Sequence, residues 1–342
     1  MTAVPGQIVP PHDHSALPPI WPPSELNRAA TTDLTARIDG DPVVARLDTG
    51  AGNHIGPYRQ VDTSIDQKTR TFWCHLRPDG APSFNHGILR ELAHMQRSIM
   101  RLFDDSAPDA DPPFRYFVVG SRLPGIFNMG GDLAFLADRI RAGDRDALAA
   151  YARACIEVVY NNSIALDLPI ITLALVQGDA LGGGFEAALS CNVIAAEKRA
   201  KLGLPEILFN LFPGMGASSL LSRKLDPVRA ERMILSGRIY GATELHEMGV
   251  VDVLAEDGEG EQAARHYIAQ NARRHGAHRA VCEVRRRINP LTFAELRDVA
   301  DLWVDTALRL EDSDLRKMER LAAAQLRRTV ARAGATTQAV AR

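Results

Sequence analysis

Three consecutive glycines, Gly182 to Gly184, stand in the stretch GDALGGGFEAALS, directly before an apolar segment that carries a single glutamate, Glu186. Glycine loses more backbone entropy on folding than any other residue, so consecutive glycines are a poor way to enter a helix. A run of glycines before a helix indicates that backbone without side chains is needed at this turn. We therefore expect this turn to bring free peptide groups and the Glu186 carboxyl group together.

Two junctions of the type strand–turn–helix contain glycine pairs: FVVGSRLPGIFNMGGDL and LALVQGDALGGGFEAAL. Both present free backbone N–H groups at a helix start, where negative charge is favoured. The second run lacks the Lys-Ser/Thr ending of a P-loop, the spacing of a dinucleotide fingerprint and the Ser or Cys of a nucleophile elbow. The remaining possibility is that the turn stabilises a transient oxyanion. Two converging N–H groups can hold the oxygen of a thioester carbonyl as it becomes an enolate.

A second carboxylate, Glu206, lies in the otherwise apolar stretch LGLPEILFNLFPGMGA, twenty positions after Glu186. Apolar neighbours disfavour its charged form, so we expect a raised pKa. Two carboxyl groups on opposite sides of a bound acyl chain can share acid and base roles. Each feature alone also fits an ordinary helix start or tight turn; the combination predicts a catalytic site.

The overall charge and the cysteine content exclude several classes of partner. The 342 residues carry a formal net charge of -2, which gives no attraction to nucleic acid. The four cysteines are far apart and form no CxxC pair, so we expect reduced, packed thiols, a cytoplasmic protein and no metal site. The sequence contains no apolar run of membrane-spanning length and no secretory signal pattern, so we expect neither membrane binding nor export.

The order of segments predicts an α/β core, because short apolar runs alternate with stretches of helical periodicity. The strand candidates are 69–78, 115–121, 169–178 and 191–196, and the helix candidates are 88–103 and 146–166. We expect ordered structure to begin at the first of these strands. The predicted divisions are a Pro-rich, disordered segment at 1–32, an unassigned extension at 33–68, a core at 69–260 and a C-terminal helical region at 261–342.

The C-terminal region combines an apolar stripe with many arginines. The stripe runs through Leu296, Val299, Trp303, Ala307 and Leu310, and we expect Ser313 to cap the helix that follows. An arginine cluster comprises Arg273, Arg274, Arg279, Arg285, Arg286 and Arg287. It suits phosphates or an acidic carrier protein, and it fits a solvated helix face or a subunit contact equally well.

The stretch ALVQGDALGGGFEAALSCNVIAAEKRAKLGLPEILFNLFPGMGASSLL resembles the crotonase (enoyl-CoA hydratase/isomerase) superfamily. The segments FNMGGDLAF, GGGFEAALSC, LPEILFNLFPGMGA and LWVDTALRLEDSDLRKMERLAAAQLRR look more narrowly like the diffusible signal factor synthases, which make cis-2-unsaturated fatty acids for bacterial signalling. The resemblance covers about residues 70–332. It implies an α/β spiral of ββα units followed by a C-terminal helical region, assembled as a homotrimer or hexamer.

The resemblance also implies roles for individual residues. Gly131 and Gly183 match the two oxyanion-hole donors, and Glu186 and Glu206 match the acid and base. Six further residues are predicted to bind substrate: Gly130, Gly182, Leu208, Phe212, Met215 and Trp303. Trp303 is equally well explained as a core tryptophan on an amphipathic helix. No cofactor is expected, since the acyl group arrives as substrate on acyl carrier protein or coenzyme A.

Three functional hypotheses follow from the resemblance. The first is a 3-hydroxyacyl-thioester dehydratase with thioesterase activity that makes a cis-2-unsaturated fatty acid signal. The second is a generic enoyl-CoA hydratase, which leaves the thioester intact. The third is a non-catalytic regulator of the same fold, with a sensor histidine kinase as its partner.

Overall fold

The computed structural model describes residues 55–106 and 111–340. The predictions for 1–32 and for 33–54 therefore lie outside the described residues. The strands are β1 Val61–Asp66, β2 Thr71–Leu76, β3 Tyr116–Ser121, β4 Ile126–Asn128, β5 Ile171–Val176, β6 Asp179–Leu181, β7 Val193–Glu197, β8 Lys201–Gly203, β9 Ile239–Gly241 and β10 Val253–Ala255. The helices are α1 His86–Asp104, α2 Leu133–Arg141, α3 Arg145–Ser163, α4 Gly183–Leu189, α5 Ala217–Lys224, α6 Pro227–Ser236, α7 Ala242–Glu247, α8 Gly260–Asn271, α9 His275–Ile288, α10 Phe293–Ala307 and α11 Asp312–Val340. Short 3₁₀ turns stand at Ala165–Asp167, Pro205–Phe209 and Ala272–Arg274.

The strands form two sheets. The larger has the order β1-β2-β3-β5-β7-β10 and is parallel except for the β1–β2 pair. The smaller has the order β4-β6-β8-β9, in which β4, β6 and β8 are parallel and β9 is antiparallel. Successive pairs, β3 with β4, β5 with β6 and β7 with β8, each give one strand to each sheet. The predicted spiral of ββα units is confirmed.

Burial explains why these segments become strands. Every residue of β5 is buried, which is typical of a parallel strand covered on both faces. The main core fills the space on one side of the larger sheet, and a smaller cluster that includes Trp73 and Tyr116 packs under α8 on the other. Fully burying one large apolar side chain stabilises the fold by about 1.5–3 kcal/mol.

The long helices follow the predicted periodicity. α1 buries Leu89, Leu92, Met95 and Ile99, which share one face. The side chain of Asn85 caps α1, and that of Asp132 caps α2 by accepting the N–H of Phe135 at 3.2 Å. The cap at Asp132 starts α2 directly after the Gly130–Gly131 pair.

Two sequence expectations about segment ends are wrong. β1 precedes the predicted start of order at residue 69, and it pairs antiparallel with β2. Its sequence VDTSID is mostly polar because it is an edge strand in which Val61 and Thr63 face the core. Ser313 does not cap the last helix, which begins one residue earlier at Asp312.

The two C-terminal helices fold back onto the core of their own chain. α10 packs along α3, and α11 packs against α2 and the 3₁₀ turn Pro205–Phe209. Arg145 pairs with Asp305 at 2.6 Å, and Arg141 pairs with Glu319 at 2.5 Å. These contacts place the last helices above the loops that follow the smaller sheet.

Two further expectations concern thiols and membranes. All four cysteines are free and buried, as predicted for packed thiols. Within the described part of the chain, no helix combines the length and the apolar character that crossing a bilayer requires.

Candidate active site

The three segments singled out from the sequence meet at one edge of the smaller sheet. β4 runs into the Gly130–Gly131 turn, β6 into the triple glycine and α4, and β8 into the 3₁₀ turn that carries Glu206. These three strands are parallel neighbours, so their C-terminal ends lie side by side. Ligands bind at such ends in α/β sheets, because loops converge there with free backbone groups.

Glu186 lies in the first turn of α4 and is 1% exposed. Its Oε1 accepts two backbone hydrogen bonds of 2.8 Å, from the N–H groups of Met215 and Ala217. Both donors point at one oxygen because Gly216 between them has φ +112, a conformation that favours glycine. The FPGMGA segment therefore holds the Glu186 carboxyl group in a fixed orientation.

Burial dominates the electrostatics of Glu186. Loss of water raises the pKa of its carboxyl group to about 7, although the two N–H donors act in the opposite direction. A carboxyl group of this kind changes its charge near neutral pH, which is the range in which a general acid or base works best.

Glu206 faces the same space from the 3₁₀ turn Pro205–Phe209. Its Oε2 is buried, and no group among the described residues hydrogen-bonds to it. Desolvation raises the pKa of Glu206 well above its ordinary value, and the nearby charge of Glu186 raises it further. The two carboxyl groups therefore interact, and Glu186 is the one that gives up its proton more readily.

Each of the three glycines leaves room for a different neighbour. A Cβ on Gly182 would lie 2.5 Å from Oε1 of Glu206, and one on Gly183 would lie 2.4 Å from the sulfur of Met215. A Cβ on Gly184 would lie 2.0 Å from the backbone oxygen of Asn128. Side chains here would collide with the Glu206 carboxyl group, the Met215 side chain and the β4 loop.

The two glycine turns are pressed together. A Cβ on Gly130 would lie 3.0 Å from the N atom of Gly183, so the turn after β4 touches the start of α4. The N–H of Gly183 belongs to the first turn of a helix and has no intrahelical acceptor. In the described part of the chain the N–H of Gly131 makes no hydrogen bond either. Two free donors therefore stand in adjacent turns.

A cavity of about 580 Å³ opens at this edge. Nine of the ten predicted site residues line it: Gly130, Gly131, Gly182, Gly183, Glu186, Glu206, Leu208, Met215 and Trp303. Phe212 does not, because it packs against the core one residue beyond Leu211, which does line the wall. The catalytic, oxyanion and substrate-binding roles of the nine remain predictions that their common location supports.

The C-terminal helices contribute part of the cavity wall. Trp303 of α10 lies against Gly214, where a Cβ would come within 2.6 Å of the indole ring. Met318, Leu321 and Gln325 of α11 also line the cavity, and Gln325 Nε2 donates to the Met129 carbonyl at 3.1 Å. The remaining walls are mostly apolar.

Several lining residues were not found from the sequence. Tyr151 and Cys155 of α3, Asp179 of β6 and Lys201 of β8 all border the cavity. Tyr151 and Cys155 belong to the buried face of an ordinary amphipathic helix, so nothing in the local pattern marks them.

The arginine cluster lies elsewhere, on α9 and the turn before it, and none of its members lines the cavity. Arg286 in that cluster donates to the Ile164 carbonyl, and Arg287 pairs with Glu283. These two arginines therefore have partners within the chain.

Comparison with known proteins gives a family for this arrangement. The sequence profile described as "Enoyl-CoA hydratase/isomerase" matches residues 97–288, which is more than half of the chain and includes both glutamates and both glycine turns. The chain belongs to this family. The mitochondrial methylglutaconyl-CoA hydratase of Homo sapiens is 33% identical over 237 residues, covering 68% of each chain. The corresponding protein of Rattus norvegicus is 33% identical over 227 residues, covering 65% of this chain and 70% of the relative.

Solved structures agree with this assignment at the level of the fold. DspI of Pseudomonas aeruginosa has a TM-score of 0.57 at 24% identity and covers 70% of this chain and 93% of its own. The human mitochondrial delta3-delta2-enoyl-CoA isomerase has a TM-score of 0.62 at 18% identity and covers 79% and 99%. The chain therefore shares its fold with both of these proteins.

Proposed function

We propose that this protein dehydrates a 3-hydroxyacyl thioester to a 2-enoyl thioester. The observation that carries the proposal is one cavity that joins two free N–H donors with two carboxyl groups of raised pKa. A dehydratase of this kind needs one ionised and one protonated carboxyl group at the same time. The interaction between Glu186 and Glu206 favours that mixed state, since two charges so close in a dry site repel each other.

The proposed reaction proceeds as follows. The carboxylate removes the proton at C2, and the electron pair moves toward the thioester carbonyl, whose oxygen is held by the N–H groups of Gly131 and Gly183. The C3–O bond then breaks, the double bond forms between C2 and C3, and the carboxylic acid gives its proton to the departing hydroxyl, which leaves as water. The substrate is an acyl-CoA, as the names of the relatives suggest, or an acyl carrier protein thioester.

The finer proposal is that the thioester is then hydrolysed and a cis-2-unsaturated fatty acid is released. Its support is the similarity of four separate segments to the diffusible signal factor synthases, together with the apolar walls of the cavity. Water attacks C1, the same two N–H groups stabilise the tetrahedral oxyanion, and the thiol leaves with a proton. A family member that keeps the thioester is the rival proposal, and it uses the same groups for the first step.

The test is a product analysis. Purified protein is incubated with a 3-hydroxyacyl thioester of acyl carrier protein and, separately, of coenzyme A, and the products are identified by mass spectrometry. An enoyl thioester that persists supports only the dehydration step, whereas free 2-enoic acid in molar balance with free thiol supports both. Unchanged substrate on both carriers contradicts the proposed function.

The pH dependence of turnover is expected to be bell-shaped. kcat/KM rises through about pH 7 as the pair loses its first proton, because Glu186, with a pKa of about 7, then becomes a base. It falls at higher pH as the pair loses its second proton, because Glu206 has the higher pKa and must remain protonated to act as the acid. A steady-state profile with a stable buffer series checks this, and a profile that stays flat through neutral pH contradicts it.

A further inference from the structure

The peptide N–H groups of residues 130 to 132, in the turn after β4, differ in their hydrogen bonding. The N–H of Gly130 donates to Oδ1 of Asn128 at 2.7 Å. The N–H of Asp132 donates to the hydroxyl of Tyr151 at 2.9 Å. The N–H of Gly131, which lies between them, makes no hydrogen bond among the described residues. The two outer donors are therefore occupied by side chains of the protein, and the middle one is left for a ligand.

The direction of the hydrogen bonds at Tyr151 follows from its partners. Its hydroxyl lies 2.6 Å from the carbonyl oxygen of Phe84, which can only accept, so the single hydroxyl proton is used there. The oxygen then accepts the N–H of Asp132, which can only donate. Burial raises the pKa of Tyr151 well above its usual range, so the hydroxyl keeps its proton.

Phe84 connects these groups to the same loop a second time. Its own N–H donates to the carbonyl of Gly130 at 2.8 Å, while its carbonyl accepts from Tyr151. Tyr151, Phe84 and the turn thus form a closed ring of hydrogen bonds around the Gly131 peptide. Tyr151 and Asn128 are both buried, so water does not compete for these bonds.

We propose that Tyr151 and Asn128 are positioning residues that fix the Gly131 N–H as an oxyanion donor before substrate binds. The inference rests on the proposed function, since it assigns these residues to the carbonyl-binding step. A preorganised donor stabilises developing charge without reorienting during the reaction, which is the largest contribution in many enzymes. The Tyr151 hydroxyl and the Asn128 Oδ1 are hydrogen-bonded to backbone groups, so the proposal assigns neither side chain a proton transfer.

The test uses a chromophoric substrate analogue, the coenzyme A thioester of cinnamic acid. Hydrogen bonds to its carbonyl oxygen polarise the conjugated system and move its absorption to longer wavelength. We expect wild-type protein to produce this red shift and Tyr151→Phe to produce a smaller one at saturation. For turnover we expect kcat to fall about tenfold in Tyr151→Phe with little change in KM, because a donor is misaligned rather than removed.

Two controls separate positioning from general damage. Tyr116→Phe removes another buried hydroxyl, one that has no partner among the described residues and lies under α8, away from the cavity. It should keep the wild-type red shift and kcat. Asn128→Ala should reduce both, and Asn128→Ser should restore them in part, because serine offers an acceptor to the N–H two residues on.

The outcomes are distinguishable. A Tyr151→Phe protein with the wild-type red shift and kcat overturns the inference alone, as does a Tyr116→Phe protein that loses as much. If the wild-type protein binds the analogue but gives no red shift, the thioester carbonyl is not polarised and this inference fails, whereas the product analysis on both carriers decides the proposed function separately. If Tyr151→Phe does not fold, the comparison of Asn128→Ala with Asn128→Ser decides the question.

Discussion

Glu186→Gln is expected to lower kcat about 1000-fold, within the range that a positioned acid or base contributes. Glutamine has the same shape, and its amide oxygen can still accept the N–H groups of Met215 and Ala217 that hold Glu186 at 2.8 Å. The variant therefore removes the ionisable group and leaves its surroundings in place. Steady-state kinetics with a 3-hydroxyacyl thioester measure the loss, and the rising part of the pH profile should disappear with it.

Glu197 provides a matched control for this variant. It is also a fully buried glutamate, and it also accepts backbone and side-chain donors, from Gly260 at 3.2 Å and Gln177 at 3.1 Å. It pairs with Arg199 on the larger sheet and does not line the cavity. Glu197→Gln should therefore lower stability but leave kcat unchanged. Near-wild-type turnover in Glu186→Gln would contradict the assignment of Glu186 as the acid or base.

Segments with long periodic patterns were predictable from the sequence. The strand expected at 169–178 is confirmed as Ile171–Val176, and the helix expected at 146–166 is confirmed as Arg145–Ser163. Both bury a continuous apolar surface, and the spacing of apolar residues in the sequence predicts such burial. The strands β4, β6, β8 and β9 were not predicted, since each has three residues and shows no periodicity of its own. Yet these strands bring the three site segments together.

The candidate site was predictable only where the residue type is unusual for its surroundings. Consecutive glycines at a helix start and a carboxyl group in an apolar run led to Gly183, Glu186 and Glu206, all of which line one cavity. Tyr151 was missed because the residues around it in α3 form an ordinary buried helix face. The role that we propose for Tyr151 depends on the distant loop to which its hydroxyl group is hydrogen-bonded. Phe212 does not line the cavity, and the apolar pattern alone does not distinguish a residue on the cavity wall from one that packs against the core.

Met215 borders the cavity with its side chain and also makes a backbone contact that the sequence did not indicate. The sequence predicted that its side chain lines the acyl pocket, and the side chain does border the cavity. Its backbone N–H also holds Glu186, which no pattern of side chains could indicate. Hydrogen bonds of the main chain depend on local φ and ψ angles and on tertiary packing, and both are weakly encoded in a short stretch of sequence.

Gly184→Ala should disrupt both stability and activity, although alanine favours a helix by about 1 kcal/mol over glycine. Gly184 is the second residue of α4, and its added Cβ would meet the backbone of Asn128, with 2.0 Å to the carbonyl oxygen and 2.7 Å to the carbonyl carbon. Backbone cannot rotate away as a side chain can. The β4 loop must move, and we expect a loss of about 1–3 kcal/mol in stability, as for other overpacked positions.

Displacement of that loop also moves Gly131, one of the two proposed oxyanion donors. Asn128 accepts the N–H of Gly130, and Gly131 is the next residue, so both move with the β4 loop. A shift of the Gly131 N–H by about 1 Å should lower kcat about 100-fold. Gly276→Ala is the matched control, because Gly276 is likewise the second residue of a helix, α9, with open space around it. It should raise stability by about 1 kcal/mol and leave kcat unchanged.

Thermal unfolding and steady-state kinetics measure both variants. Equal behaviour of the two would show that the contact between α4 and the β4 loop is not tight, and the close approach of Gly130 to Gly183 would then have to be abandoned.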